Sequence, residues 1–183
     1  MRIISGKFKG KKIIIPKDKL TRPLRDIVKE SIFNILNHSN LLTFKFEKTN
    51  IIDLFSGTGS FGLECISRGA EHVTFFENYT SAINILKKNI ENFNCESKTK
   101  IINKNISSIE LKKLNKSDLI FMDPPFKYKG IGNLIKVIKN INLLKNNGVI
   151  ILHRHKNNKE VLPLEFKVIK KINYGISNIF FGY

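Results

Sequence analysis

The chain has 183 residues, is 42% hydrophobic and carries a formal net charge of +17. That length predicts one domain with a real core, and that charge makes an anionic partner the first expectation. Two isolated thiols (Cys65 and Cys95), the lack of any ~18-residue apolar run and the polar opening Met1–Lys7 argue against a disulfide framework, a membrane span and secretion, and predict a cytoplasmic setting.

Only five of the 32 basic residues are Arg, and Lys, Asn and Ile crowd the whole chain, so the binding inference rests on where the charge sits. Residues 1–20 alternate apolar pairs with Gly6, Gly10 and Pro16 and predict a basic β-hairpin. After Thr21-Arg22-Pro23, the spacing of Ile27, Val28, Ile32, Phe33, Ile35 and Leu36 predicts a helix over 21–38. Strands are expected at 51–55, 72–77, 100–104, 118–123 and 148–152, and helices at 60–68, 80–93 and 131–144. Residues 166–172 and 179–181 predict a closing antiparallel hairpin. Strand–helix alternation with β-branched strands implies an α/β fold, its parallel sheet covered on both faces. The chain is read as one domain over 1–183, with the hairpin at 1–20, the leading helix at 21–38 and a catalytic core at 50–183.

Two motifs carry chemistry. The first is Asp53-Leu54-Phe55-Ser56-Gly57-Thr58-Gly59-Ser60-Phe61-Gly62, a G-x-G-x-x-G loop between a strand and a helix. Glu77 ends the next strand, at the interval where an acid reaches a ribose in dinucleotide-binding folds. NAD would set its pyrophosphate on the helix N-terminus. Asp53 stands just before the loop, where a carboxylate suits an ammonium group and disfavours a pyrophosphate. The loop therefore favours S-adenosylmethionine. The second motif is Asp123-Pro124-Pro125-Phe126, after the apolar run 119–122. Asp123 can accept from an exocyclic amine, the prolines stiffen the turn, and Phe126 offers a stacking face. Positioned this way, an amino nitrogen whose lone pair is delocalised can be aimed at a methyl donor.

The chain resembles the bacterial 16S rRNA guanine-N2 methyltransferases over nearly its whole length. The resemblance runs through residues 2–12, 21–34, the loop 53–59, Ser67-Arg68-Gly69-Ala70, the turn 123–126 and Tyr174-Gly175. It implies a Rossmann-like methyltransferase fold, a seven-stranded mostly parallel sheet with an N-terminal β-hairpin. It also implies S-adenosyl-L-methionine as cofactor, and as partner 16S rRNA within the small ribosomal subunit, engaged by a monomer without metal or membrane. By position, Asp53, Phe55, Gly57, Thr58, Gly59, Glu77, Asn78 and Asn105 hold the cofactor, and Asp123, Pro124 and Phe126 hold the guanine. Lys7, Lys9, Lys11, Arg22 and Arg25 are assigned to RNA phosphates. The chain departs from the family pattern at Leu24, Ile27, Lys29, Asn78, Asn105 and His153, the last standing where Glu is usual and given no role.

His153-Arg154-His155 is read as a surface strand end, since a metal site would want a third ligand. The alternatives to rRNA methylation are a DNA adenine-N6 or other amino-methyltransferase, and a non-catalytic RNA-binding protein on a methyltransferase frame. The first would be expected to need a target-recognition insert; intact Gly57, Gly59 and Asp123 argue against the second.

Overall fold

The computed structural model describes residues 1–16, 24–42, 44–158 and 161–183. The β-branched and aromatic runs form strands, and the amphipathic stretches between them form helices that cover the sheet. In chain order these are α1 (Asp26–His38), β1 (Asn50–Leu54), α2 (Ser60–Ser67), β2 (His72–Phe76), α3 (Thr80–Asn92) and β3 (Thr99–Ile102). Then follow α4 (Ser108–Leu111), β4 (Ser117–Met122), α5 (Ile131–Asn140), β5 (Leu144–His155), β6 (Val168–Tyr174) and β7 (Ser177–Gly182).

The strands form one sheet of seven, in the order β3-β2-β1-β4-β5-β7-β6. The five strands from β3 to β5 pair in parallel, and β7 inserts antiparallel between β5 and β6. Alternate residues of each central strand enter opposite cores. Ile51, Phe75, Phe121 and Ile151 face α1, α2 and α3, whereas Ile52, Leu54, Ile120, Met122 and Ile150 face α5 and Leu111 of α4. Gly62 lets α2 settle on β2, for a Cβ there would lie 2.3 Å from Cε1 of Phe75.

β5 is longer at both ends than the sequence pattern suggested. Its register with β4 shifts between Ser117 and Leu119, which admits residues 144–147, and its far end pairs with β7 from His153↔Ile179 to His155↔Ser177. Polar residues mask that pairing in the sequence, because the ladder is made by backbone groups. The expectation that residues 153–155 lie on the surface is therefore corrected: His153 and Arg154 are buried beneath the turn after β4.

The N-terminal hairpin is minimal. A single antiparallel bridge joins Arg2 to Lys12, and the turn between them is held by its own backbone bonds. Its docking comes from polar groups on α2 and α3. The Glu64 carboxylate accepts from the backbone N–H groups of Ile4 (2.7 Å) and Ser5 (2.9 Å) and from Nε of Arg68 (2.8 Å). Ser67 Oγ accepts from Phe8 N–H, and Asn89 grips Ile14 through both its N–H and its carbonyl. Lys29 of α1, fully buried, donates to the carbonyl of Arg2 (2.8 Å) and to Ser60 Oγ (3.2 Å). Burial pushes the Lys29 ammonium down, and Glu64 and Asp26 pull it back up.

Removing one partner of a buried charge network strands the others. Glu64→Ala leaves Arg68 and two backbone donors without their acceptor and takes the carboxylate 3.7 Å from the buried Lys29 ammonium, and is expected to cost about 3–5 kcal/mol. Urea unfolding of the variant would show it; a change under about 1 kcal/mol would mean that water replaces the carboxylate freely.

Candidate active site

The cleft opens where the strand order reverses, between β1 and β4, outside their carboxyl ends. The parallel register pairs Leu54 with Met122, so the loop after β1 and the turn after β4 leave the sheet side by side. They enclose about 500 Å³, within the range of small-ligand sites. Asp53, Phe55, Gly57, Thr58, Glu77, Asn78, Asp123, Pro124 and Phe126 all line this space. So do Leu24, Arg25 and Val28 from the α1 side, and His153 and Ser177 from below the turn.

The loop is built by backbone conformation. Phe55 takes φ 62°, Gly57 φ 54° and Gly59 φ 82°. A left-handed Phe carries a strain of order 1 kcal/mol, of the kind that collects at ligand sites; its ring packs edge-on against Tyr128 at 5.0 Å. Glu77 ties the loop to β2. One oxygen accepts from Gly57 N–H (2.7 Å), and the other from the N–H groups of Asn78 and Tyr79 (both 2.9 Å). The oxygen bonded to Gly57 keeps a lone pair for a ribose hydroxyl.

Asp53 is the sharpest electrostatic feature. Its Oδ2 accepts from Gly62 N–H at 3.0 Å, while Oδ1 is buried with no hydrogen-bond partner among the described residues. Burial pushes this carboxyl well above the usual range, the Gly62 bond opposes that, and the charges of Asp123 and Glu77 add to it. A buried carboxylate oxygen with no partner among the described residues, in the field of two further acids, favours a cation and disfavours a phosphate. The residues fit an aminoacid-bearing sulfonium cofactor such as S-adenosylmethionine.

The turn after β4 is propped by three consecutive residues of β5. His153 Nδ1 lies 2.7 Å from Asp123 Oδ1, and its Nε2 lies 2.8 Å from Ser177 Oγ. Arg154 donates to the carbonyls of Tyr128 (2.9 Å) and Pro125 (3.5 Å). His155 packs edge-on to Phe126 at 4.8 Å. Phe126 is still 39% exposed, so part of its ring faces solvent and can take a stacked base. Pro125 also accepts from Tyr128 N–H; no donor among the described residues engages the Pro124 carbonyl.

Not every expected residue reaches the cleft. Gly59 lies outside its lining, and a Cβ there would sit 2.4 Å from Cδ1 of Leu86, so its role is packing of the loop onto α3. Asn105 is exposed outside the lining and accepts from the Asn78 side chain. Lys7 and Lys11 hold their ammonium groups over Phe8, and the turn that carries them and Lys9 docks on Ser67, at the far end of α2. Arg25 lines the cleft itself, and Arg22 lies outside the described residues. His153, Arg154 and Ser177 were missed: nothing in the spacing of residues 153–155 distinguishes a buried prop from an exposed strand end.

The family model described as conserved hypothetical protein 95 matches residues 1–183. The chain belongs to this family. It is 36% identical over 177 residues to ribosomal RNA small subunit methyltransferase D of Buchnera aphidicola subsp. Baizongia pistaciae, covering 93% of this chain and 85% of that one. It is 32% identical over 181 residues to the protein of the same name from Haemophilus influenzae, covering 96% and 90%. A Haemophilus influenzae crystal structure, of a protein described with the word methylase, superposes with TM-score 0.75 at 31% identity, covering 98% of this chain and 96% of that one. The fold is thus that of a Rossmann-like methyltransferase, as the resemblance implied.

The burial of Asp53 gives a pH signature. Because its folded-state pKa is raised, the folded protein holds the proton more tightly than the unfolded chain does. Stability is therefore lost as pH rises from the ordinary carboxylate range through the raised value. Asp53→Asn removes that loss. Its melting temperature should exceed that of the parent at pH 8 by more than at pH 5, while affinity for S-adenosylmethionine falls. Thermal melts at the two pH values check the first part, and an equal shift at both would contradict it.

Proposed function

We propose that this chain transfers the methyl group of S-adenosylmethionine to the exocyclic N2 of a guanine in small-subunit rRNA. The observation that carries the proposal is the joining, in one cleft, of an acid-lined cation site (Asp53, Glu77) to the Asp-Pro-Pro-Phe turn. The names of the rRNA methyltransferase relatives support the substrate class. The resemblance in residues 21–34 supports guanine N2 over other amino groups.

When bound, S-adenosylmethionine supplies an electrophilic methyl on a sulfonium and departs as a neutral thioether. This chain's residues do the rest. Asp53 meets the ammonium group, Glu77 the ribose hydroxyls, and the Gly57–Thr58 backbone the wall between them. A guanine swung out of its stack rests on Phe126. Its N2–H groups donate to Asp123 and to the Pro124 carbonyl, which turns the nitrogen lone pair toward the donor. Orientation of this kind is worth several kcal/mol, because the free reaction must first collect both partners in one geometry. Asp123 takes the proton that N2 sheds on gaining the methyl. Arg25 at the cleft and the lysines of the N-terminal turn, docked at the far end of α2, hold phosphates. The protein acts as a monomer in the cytoplasm; among the described residues no helix is long and apolar enough to cross a membrane.

Incubation with labelled donor and, in parallel, naked rRNA, small subunits or DNA tests the reading once the labelled base is mapped. Label on guanine N2 of the rRNA is expected; label on adenine in DNA would replace the proposal with the amino-methyltransferase alternative. Asp123→Ala should lower transfer by about 10²–10³-fold, since it removes one preorganised polar contact to the reacting group. Its donor affinity should stay within about threefold, and parallel loss of both would contradict the division of labour between Asp53 and Asp123.

A further inference from the structure

We propose that His153 is a positioning residue for Asp123: it donates from Nδ1 to one carboxylate oxygen, Ser177 holds the ring from its Nε2 side, and the other oxygen is thereby aimed at the substrate amine. The inference rests on the proposed reading, in which Asp123 accepts from that amine.

The placement is set by strand pairing. β4 and β5 run parallel with Met122 opposite Leu152, so the residues that follow, Asp123 and His153, emerge as neighbours at the carboxyl end of the sheet. β7 runs antiparallel beside β5 with Ile179 opposite His153. Side chains alternate along a strand, so Ser177 shares the face of Ile179 and reaches diagonally toward the imidazole. His153 and Ser177 are both buried, 8% and 5% exposed, so bulk water does not compete for either contact.

Hydrogen-bond accounting then fixes the protons. An ionised carboxylate can only accept, so the ring nitrogen 2.7 Å from Asp123 Oδ1 carries the hydrogen. In the neutral ring Nε2 then has only a lone pair, and the Ser177 hydroxyl, 2.8 Å away, donates to it. The Asp123 carboxylate thus selects the Nδ1–H form, and the Ser177 hydroxyl, which can donate or accept, satisfies the lone pair left on Nε2. The serine–histidine–aspartate chain runs in one direction, from β7 through β5 to the end of β4. Its effect on the reaction is geometric. A free carboxylate rotates about its terminal torsion and offers two equivalent oxygens. Anchoring Oδ1 leaves Oδ2 as the acceptor on the cleft side, at a fixed distance from the Pro124 carbonyl that takes the second N2–H. This role falls to His153, a residue that the sequence pattern placed on the surface.

The test combines three variants with one measurement that needs no turnover. Long-range proton–nitrogen correlation spectra of the donor-free protein read the ring directly. His153 is expected with hydrogen on Nδ1 and a bare Nε2, and Ser177→Ala should keep that tautomer while moving the Nε2 resonance, because the carboxylate still holds the Nδ1 hydrogen. In single-turnover methylation of rRNA, His153→Leu should lower the rate about 10²-fold. His153→Asn, whose amide places a donor near the Nδ1 position, should stay within about fivefold of the parent. Affinity for S-adenosylhomocysteine should change less than about twofold in all three. An Nε2–H ring in the parent protein would overturn the inference. So would an undiminished rate in His153→Leu, or loss of cofactor affinity in step with rate. If the parent transfers no methyl to rRNA, the proposed function fails by itself, and the ring tautomer alone then decides the inference.

Discussion

The chemistry of this protein depends on two parallel strands that end side by side. β1 and β4 are paired from Ile51↔Leu119 to Leu54↔Met122, and from that register the two signature segments leave the sheet as neighbours. The strand order runs outward from this pair in both directions, which leaves a crevice outside their carboxyl ends. Asp53 sits one residue before the end of β1 and Asp123 one residue after the end of β4. A slip of one residue in that pairing would send either acid into a hydrophobic core.

Around this junction charge is segregated. Three acids, Asp53, Glu77 and Asp123, share a cleft in a chain of net charge +17. Their mutual repulsion and burial make the empty cleft electrostatically costly, most of all at Asp53, and a cationic ligand offsets that cost. Among the described residues Arg25 lines the cleft at its α1 side, and further basic groups, Lys7 and Lys11 among them, lie along the N-terminal segment.

The N-terminal segment is coupled to this site through buried polar groups. Lys29 bonds both Arg2 and Ser60, the first residue of α2 after the glycine loop, and Asn89 bonds both Ile14 and the carbonyl of Thr58 in that loop. A hairpin with only one bridge of its own is in this way fixed relative to the cofactor loop. Lys29, one of the departures from the family pattern, places its donor between the hairpin carbonyl and Ser60.

By itself the sequence determined the fold class, nearly all the strands and helices, and the two segments that make the cleft. Those features are local: hydrophobic period, turn residues and a short motif each sit within a few neighbours along the chain. It left α4 unseen, since four residues hold too little periodicity to register, and it shortened β5, whose polar ends carry no apolar run. It placed Gly59 and Asn105 against the ligand; in the folded chain the first packs on Leu86 and the second bonds Asn78 outside the lining. Only the tertiary structure decided that Asp123 is held by His153 and Ser177, 30 and 54 positions along the chain, and that Arg154 braces the Pro-Pro turn. Such contacts arise from strand order and register, which bring distant polar side chains into a buried space where each must find a partner, and no linear spacing encodes that meeting.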